Sequence, residues 1–295
     1  MIKRVALLLV IFLISISSPA YAAGEPAITG KVVNGTAGGG SVGGLEIALT
    51  TYLNSAPSAQ QTAVTDAQGN FQFNGLSTDA TVLYDLSVTY VGVQYVSDII
   101  QLTTDNATQT ADLKVYETTN SDATVQITNG HMIVVPMSPG NLNIMEIWAF
   151  NNSGDRAYVG PTGNDTPSTA HFTLPSGATG FSADNGIYAD TATGIVTDTL
   201  PIIPGAGSIG FVYSLPYQGN DASISMKVDY PSPNFSVLVP QDGIVVKSTT
   251  LTQSTPQNIQ GTTYLYFTGS NLQKGQNVDI SLNISPQAFG VQATG

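Results

Sequence analysis

Apolar and polar residues alternate one at a time over much of this chain. Leu45, Ile47 and Leu49 interleave with Glu46, Ala48 and Thr50, and Tyr84, Leu86, Val88 and Tyr90 with Asp85, Ser87 and Thr89. A period of two places each apolar set on one face of a strand. The helical period of 3.6 is nearly absent beyond the first residues. Turn-forming pairs punctuate the alternation at Asn34-Gly35, Gly38-Gly39-Gly40, Asn129-Gly130, Pro139-Gly140 and Asp242-Gly243. Short strands between turns at this density predict an all-β protein made of sandwiches. The strands fall into two groups, one over residues 23–116 and one over 117–295. The second group fits either one large sandwich or two small ones divided near residue 200.

The stretch from Thr65 to Leu76 reads as strand, tight turn, returning strand. Asp66 and Gly69 supply the turn, and Phe71 and Phe73 put two rings on one face of the strand that follows. Ile28-Thr29-Gly30-Lys31-Val32, the Asp66–Leu76 stretch, Gly44–Leu49 and Tyr84–Val88 together resemble the carboxypeptidase regulatory-like domain. That family is a transthyretin-type sandwich related to the Cna B-type repeats of bacterial surface proteins. The resemblance covers about a third of the chain. It implies an N-terminal transthyretin-like β-sandwich followed by one large or two small β-sandwich domains. It also implies an accessory, non-catalytic spacer or docking module. The family usually carries a proline before its second strand, where this chain has Gly43-Gly44, so a looser loop is expected. Residues 117–295 resemble exported bacterial β-rich proteins that lend no activity. There, Pro201–Gly205 looks like a proline-guided entry into a core strand ending near Leu215.

The first 22 residues change the picture of where the chain acts. Lys3 and Arg4 precede an apolar run from Val5 to Ile16, and Ala20-Tyr21-Ala22 offers small residues for cleavage. This is the pattern of a secretory signal peptide spanning 1–22, and the run is too short for a membrane span. A secreted, periplasmic or cell-surface location is expected, with no transmembrane segment in the mature chain. There is no cysteine, which excludes disulfides and thiolate metal sites. The chain has 8 Lys+Arg against 20 Asp+Glu, a formal net charge of −12. So acidic a chain is repelled by phosphate backbones, which argues against nucleic acid as a partner. Charged residues are only 9% of the chain, so Thr, Ser, Asn, Gln and Gly must form most of the surface.

Candidate chemistry is sparse. Gly38/Gly40/Gly43 and Gly205/Gly207/Gly210 match G-x-G-x-x-G, but strands rather than helices follow them, which favours structural turns. Ser41 lies in a G-x-S-x-G match with no base nearby in sequence, which favours a flexible glycine loop. His131 and His171 each stand alone on a strand. Lys31 could serve an isopeptide cross-link of the Cna type, but it is expected to face out. Asp184, Asp190 and Asp198 are weak candidates for calcium, although Asp184-Asn185-Gly186 is more simply a hairpin turn. No other cofactor is expected. Glu146 is the one acid inside an apolar strand; it is expected to face solvent or a groove beside Trp148, and burial would raise its pKa. Trp148, Tyr217, Tyr230 and Tyr264 could offer stacking surfaces, while Tyr84 and Tyr90 fall on a core face. The reading these features favour is an exported non-catalytic module that binds or scaffolds in the cell envelope. Its partner would be an envelope protein or a glycan. The competing readings are a carbohydrate-binding protein and an enzyme of unknown type with its site in the second region.

Overall fold

The computed structural model describes residues 25–162 and 167–289. The proposed signal peptide lies outside the described residues. The protein is all-β, and among the described residues the one helical element is a turn of 3-10 helix, η1, at Pro286–Phe289. Among the described residues no helix is long and apolar enough to cross a membrane.

The first unit is built from β1 (Ala27–Asn34), β2 (Glu46–Leu53), β3 (Ala56–Val64), β4 (Asn70–Asn74), β5 (Val82–Tyr90), β6 (Val93–Val96), β7 (Thr108–Thr110) and β8 (Leu113–Val115). One sheet runs β3-β2-β5-β6; the other centres on β1, which pairs with β4, β7 and β8. The inward sets predicted from the alternation, Ile47 and Leu49 with Tyr84, Leu86, Val88 and Tyr90, are buried. Each such aliphatic side chain contributes about 1.5–3 kcal/mol by leaving water. The Thr65–Leu76 stretch is not a hairpin. β3 and β4 belong to different sheets, so the turn carries the chain across the sandwich. Asp66 Oδ1 accepts the backbone N–H groups of Gln68 and Asn70 at 2.9 and 2.8 Å, which fixes this corner. Gly69 has φ +88°, and a Cβ there would sit 2.5 Å from the carbonyl oxygen of Val32. Only glycine fits both demands.

The second unit follows β9 (Thr118–Thr119). It contains β10 (Val125–Ser138), β11 (Asn141–Asn152), β12 (Ala157–Tyr158), β13 (Ala170–Thr173), β14 (Thr179–Ala183), β15 (Ile187–Asp190) and β16 (Ile195–Asp198). It continues with β17 (Gly205–Pro216), β18 (Asp221–Lys227), β19 (Ser232–Pro240), β20 (Ile244–Ser248), β21 (Thr252–Ile259), β22 (Thr262–Leu272) and β23 (Asn277–Ile284). A seven-stranded sheet, β14-β17-β11-β10-β19-β22-β21, packs against two three-stranded sheets, β13-β16-β15 and β18-β23-β20. One apolar cluster, from Met132 to Ile284, fills the space between these layers and draws on residues on both sides of 200.

Three local expectations are corrected. Asn129-Gly130 is not a turn. It lies inside β10, beside a bulge, so that residues 125–128 and 131–138 form one continuous strand. Gly130 is there because a Cβ would meet the rings of Trp148 and Phe235 at 2.6 Å. Asp184-Asn185-Gly186 is a corner between two sheets, because β14 pairs with β17 while β15 pairs with β16. The glycine loop after β1 is also tied down rather than loose. Gly39 N–H donates to Thr36 and Gly40 N–H to Glu117 Oε1 at 2.8 Å.

The two units meet along a short seam. β12 pairs with β9 in parallel, and Ala157 is buried in the core of the first unit. Asp155 Oδ2 accepts the Ala37 N–H at 3.0 Å, and its carbonyl accepts the Thr36 hydroxyl at 2.6 Å. Glu117 Oε1 accepts from the Tyr90 hydroxyl at 2.6 Å and from Asn34 Nδ2 at 3.1 Å. These donors hold the Glu117 carboxyl below its ordinary pKa, with Tyr90 the largest influence.

Candidate functional site

Glu146 sits in the middle of β11, on the same face as Leu142, Ile144 and Trp148, and is 2% exposed. It does not face solvent, contrary to the expectation from sequence. Positions 144, 146 and 148 share one parity, so the pleat sends all three inward. The register places Glu146 opposite Met132 on β10 and Phe211 on β17. Two side chains satisfy its carboxyl group. The Tyr213 hydroxyl lies 2.7 Å from Oε1, and Trp148 Nε1–H donates to Oε2 at 3.0 Å. Burial drives its pKa from 4.5 to about 7; the two hydrogen bonds oppose this and the negative charge of Asp229 adds to it. Tyr213 is raised well above its ordinary pKa by burial and by its acidic neighbour. All three side chains are sealed inside the core.

A chain of rings leads from this trio toward the surface. Trp148 stacks on Phe172 with centroids 5.4 Å apart, and Phe172 meets Tyr230 at 5.5 Å. Tyr230 accepts the backbone N–H of His171 at 2.8 Å through its hydroxyl. It forms part of a cleft of about 240 Å³ that Phe150, Tyr158, His171, Asp122 and Lys274 also line. Burial raises the pKa of both Tyr158 and Tyr230, and the charge of Asp122 pushes in the same direction. The cleft pairs aromatic walls with a carboxylate (Asp122), an imidazole (His171) and an amine (Lys274). Of its residues, the sequence pointed to Tyr230 and His171. Tyr158 and Phe150 were missed, because nothing in the alternation marks where a strand end will meet another unit. Tyr217 is partly buried against the core at the far end of β17 and takes no part in the cleft.

The other candidates do not converge. His131 lies on the outer face of the seven-stranded sheet, where Nδ1 is 2.7 Å from Ser236 Oγ. His171 contacts Thr197 on a separate sheet. Asp190 spends its carboxylate on its own turn, accepting from Ala192 N–H and the Thr193 hydroxyl. Asp198 is buried and accepts the Leu200 N–H, and desolvation raises its pKa. It lies at the opposite end of the β15–β16 ladder from Asp190, with Asp184 just beyond its own end. Among the described residues no cluster of three or more His, Asp or Glu groups is placed to hold a metal ion. Lys31 is exposed, as expected. The glycines of the second G-x-G-x-x-G match lie along β17, where Gly207 makes room for the Phe150 ring.

No protein-family model matches the chain, and no curated protein matches it by sequence. Among solved structures it is similar to an M1 zinc metallopeptidase from Deinococcus radiodurans at 12% identity. That match covers 54% of this chain and 42% of the other, with a TM-score of 0.33. The chain thus spans less than half the length of that peptidase. It is also similar to the major pilin subunit BcpA of Bacillus cereus, at 12% identity. There 86% of this chain and 87% of the other are covered, with a TM-score of 0.23. Similarity this low carries neither an activity nor a family.

Proposed function

We propose that this chain is an exported, non-catalytic β-sandwich module that binds or scaffolds in the cell envelope. In this reading the first unit is an accessory sandwich of the carboxypeptidase regulatory-like kind. The observation that carries the proposal is the seam. Asp155 and Ala157, from one loop of the second unit, seat themselves on the first unit, and Glu117 gathers the glycine loop beside them. A spacer must hold its modules at a fixed angle, and a seam of paired strand, buried methyl and charged hydrogen bonds supports such a role. The chemistry of the second region favours the same reading. Its buried acid is occupied by Tyr213 and Trp148, and its two histidines point from different sheets.

Two measurements test the proposal. Cell fractionation of the source organism should recover the chain in the envelope or the medium. NMR relaxation of the purified chain should give one rotational correlation time for both units. Independent tumbling of the units would remove the scaffold reading. Turnover of a glycan or peptide substrate that disappears in Glu146→Gln would replace it with an enzyme.

A further inference from the structure

The outer face of the seven-stranded sheet has a composition unlike the rest of the chain. Across all seven strands, the only Asp, Glu, Lys or Arg is Glu146, and it points inward. The opposing three-stranded sheets carry Asp190, Asp198, Asp221, Lys227, Lys247 and Asp279. The uncharged face is six strand spacings wide, roughly 29 Å. Soluble proteins normally distribute charge over such a surface, since charge limits unwanted association.

The register orders this face into parallel rows. One row is apolar and aromatic: Val212, Met145, Ile133, Leu238 and Tyr266 sit on adjacent strands as direct neighbours. The next row, beyond Ile147 on β11, carries hydrogen-bonding side chains: His131, Ser236, Thr268 and Thr252. A groove of about 620 Å³ runs along the polar row, lined also by Asn129, Asn234 and Thr250, and it touches the apolar row at Tyr266. On β22, Tyr264 lies two residues before Tyr266 on the same face, one strand repeat away.

We propose that this groove binds a neutral polysaccharide chain. This rests on the binding-module reading above and names its ligand class. A sugar ring has one apolar C–H face and a rim of hydroxyls. A strip of rings and aliphatic groups beside a strip of hydroxyls, amides and an imidazole matches both parts at once. A charged ligand would find no counter-ion here, and nucleic acid or an acidic glycan would also meet the field of a chain of net charge −12.

The test uses the full mature chain in affinity electrophoresis and calorimetry. The probes are soluble neutral glucans and xylan, with polygalacturonate as the charged comparison. Binding is expected to a neutral polymer and to be insensitive to 0.5 M NaCl, a concentration that screens ionic attraction strongly, with a Debye length of roughly 4 Å. Tyr266→Ala should weaken it about tenfold or more, the loss of one packed ring, and Thr268→Asp should abolish it. Lys247→Ala, on the opposite sheet, should leave it unchanged. Unaltered thermal unfolding of each variant shows that the sheet is intact. Neutral-polymer binding that Tyr266→Ala and Thr268→Asp both leave intact would overturn the assignment of this face but keep the binding-module reading. Binding of polygalacturonate alone, concentration-dependent dimerisation abolished by Thr268→Asp, or no binding to any neutral polymer would overturn the inference itself. Hydrolysis of the polymer would overturn the non-catalytic reading.

Discussion

At the scale of the residue, Glu146 makes the sharpest claim. An acid buried in an apolar layer is held in its neutral form, and its folded pKa of about 7 exceeds the unfolded value of 4.5. The folded state therefore binds a proton that the unfolded state releases across that interval. Stability from this group is complete below pH 4.5 and declines as pH rises through 7, a loss of roughly 3 kcal/mol overall. Asp198 is also raised by burial and acts in the same direction. Asp66 and Glu117 are held low by their hydrogen bonds, so their contributions fall away only at more acid pH. Urea unfolding should thus show greater stability at pH 5 than at pH 8. Glu146→Gln should flatten most of that slope, because the amide cannot ionise and its oxygen still accepts a hydrogen bond at this buried position. A wild-type slope of the opposite sign would show that the acid is ionised in the fold. Trp148→Ala should cost about 3–5 kcal/mol at any pH, since it opens a ring-sized cavity among Phe172, Phe235 and Glu146. The shared parity of residues 144, 146 and 148 stood in the sequence, yet the expectation turned Glu146 outward because an acid on a strand is usually solvated. The partner that makes burial tolerable was not legible there, because Tyr213 is 67 residues away from Glu146.

At the scale of the element, alternation read the strands well and the turns less well. The inward sets of β5, β18 and β23 follow the pleat without exception, while that of β2 holds at Ile47 and Leu49 and is lost by the exposed Leu53. β21 escaped notice because it lies at a sheet edge and is polar on both faces. Turn residues show that the chain changes direction, but not whether the next strand pairs with the last or crosses to the other sheet. Asp66–Gly69 and Asp184–Gly186 both make that crossing. Asn129-Gly130 has the composition of a turn and the role of a strand, because the space opposite Gly130 is taken by two rings. Gly130→Ala should therefore destabilise the second unit by about 1–3 kcal/mol through overpacking. The near-ultraviolet spectrum of Trp148, the one tryptophan of the chain, should change with it. A silent substitution would mean that the rings can give way.

At the scale of the whole molecule, two apolar cores are joined by a contact that no periodicity announces. Ala157 belongs by sequence to the second unit and by burial to the first. The Asp155 loop acts through the Thr36 hydroxyl and the Ala37 backbone N–H, more than a hundred residues earlier, so its role leaves no pattern in composition or spacing. Coupling of this kind should make unfolding of one core felt by the other. Trp148 reports only the second core, whereas far-ultraviolet circular dichroism reports both. In the native chain the two signals should follow one urea transition. Ala157→Asp places a carboxylate in the apolar core of the first unit and removes the methyl that docks the units. The dichroism curve should then split, with its first step moving to lower urea while the Trp148 transition shifts little. If both signals move together, the seam is strong enough that a charge inside one core destabilises the pair as a single body. If the native curves are already separate, the units fold independently and the seam cannot fix their angle, which would remove the physical basis for a rigid scaffold.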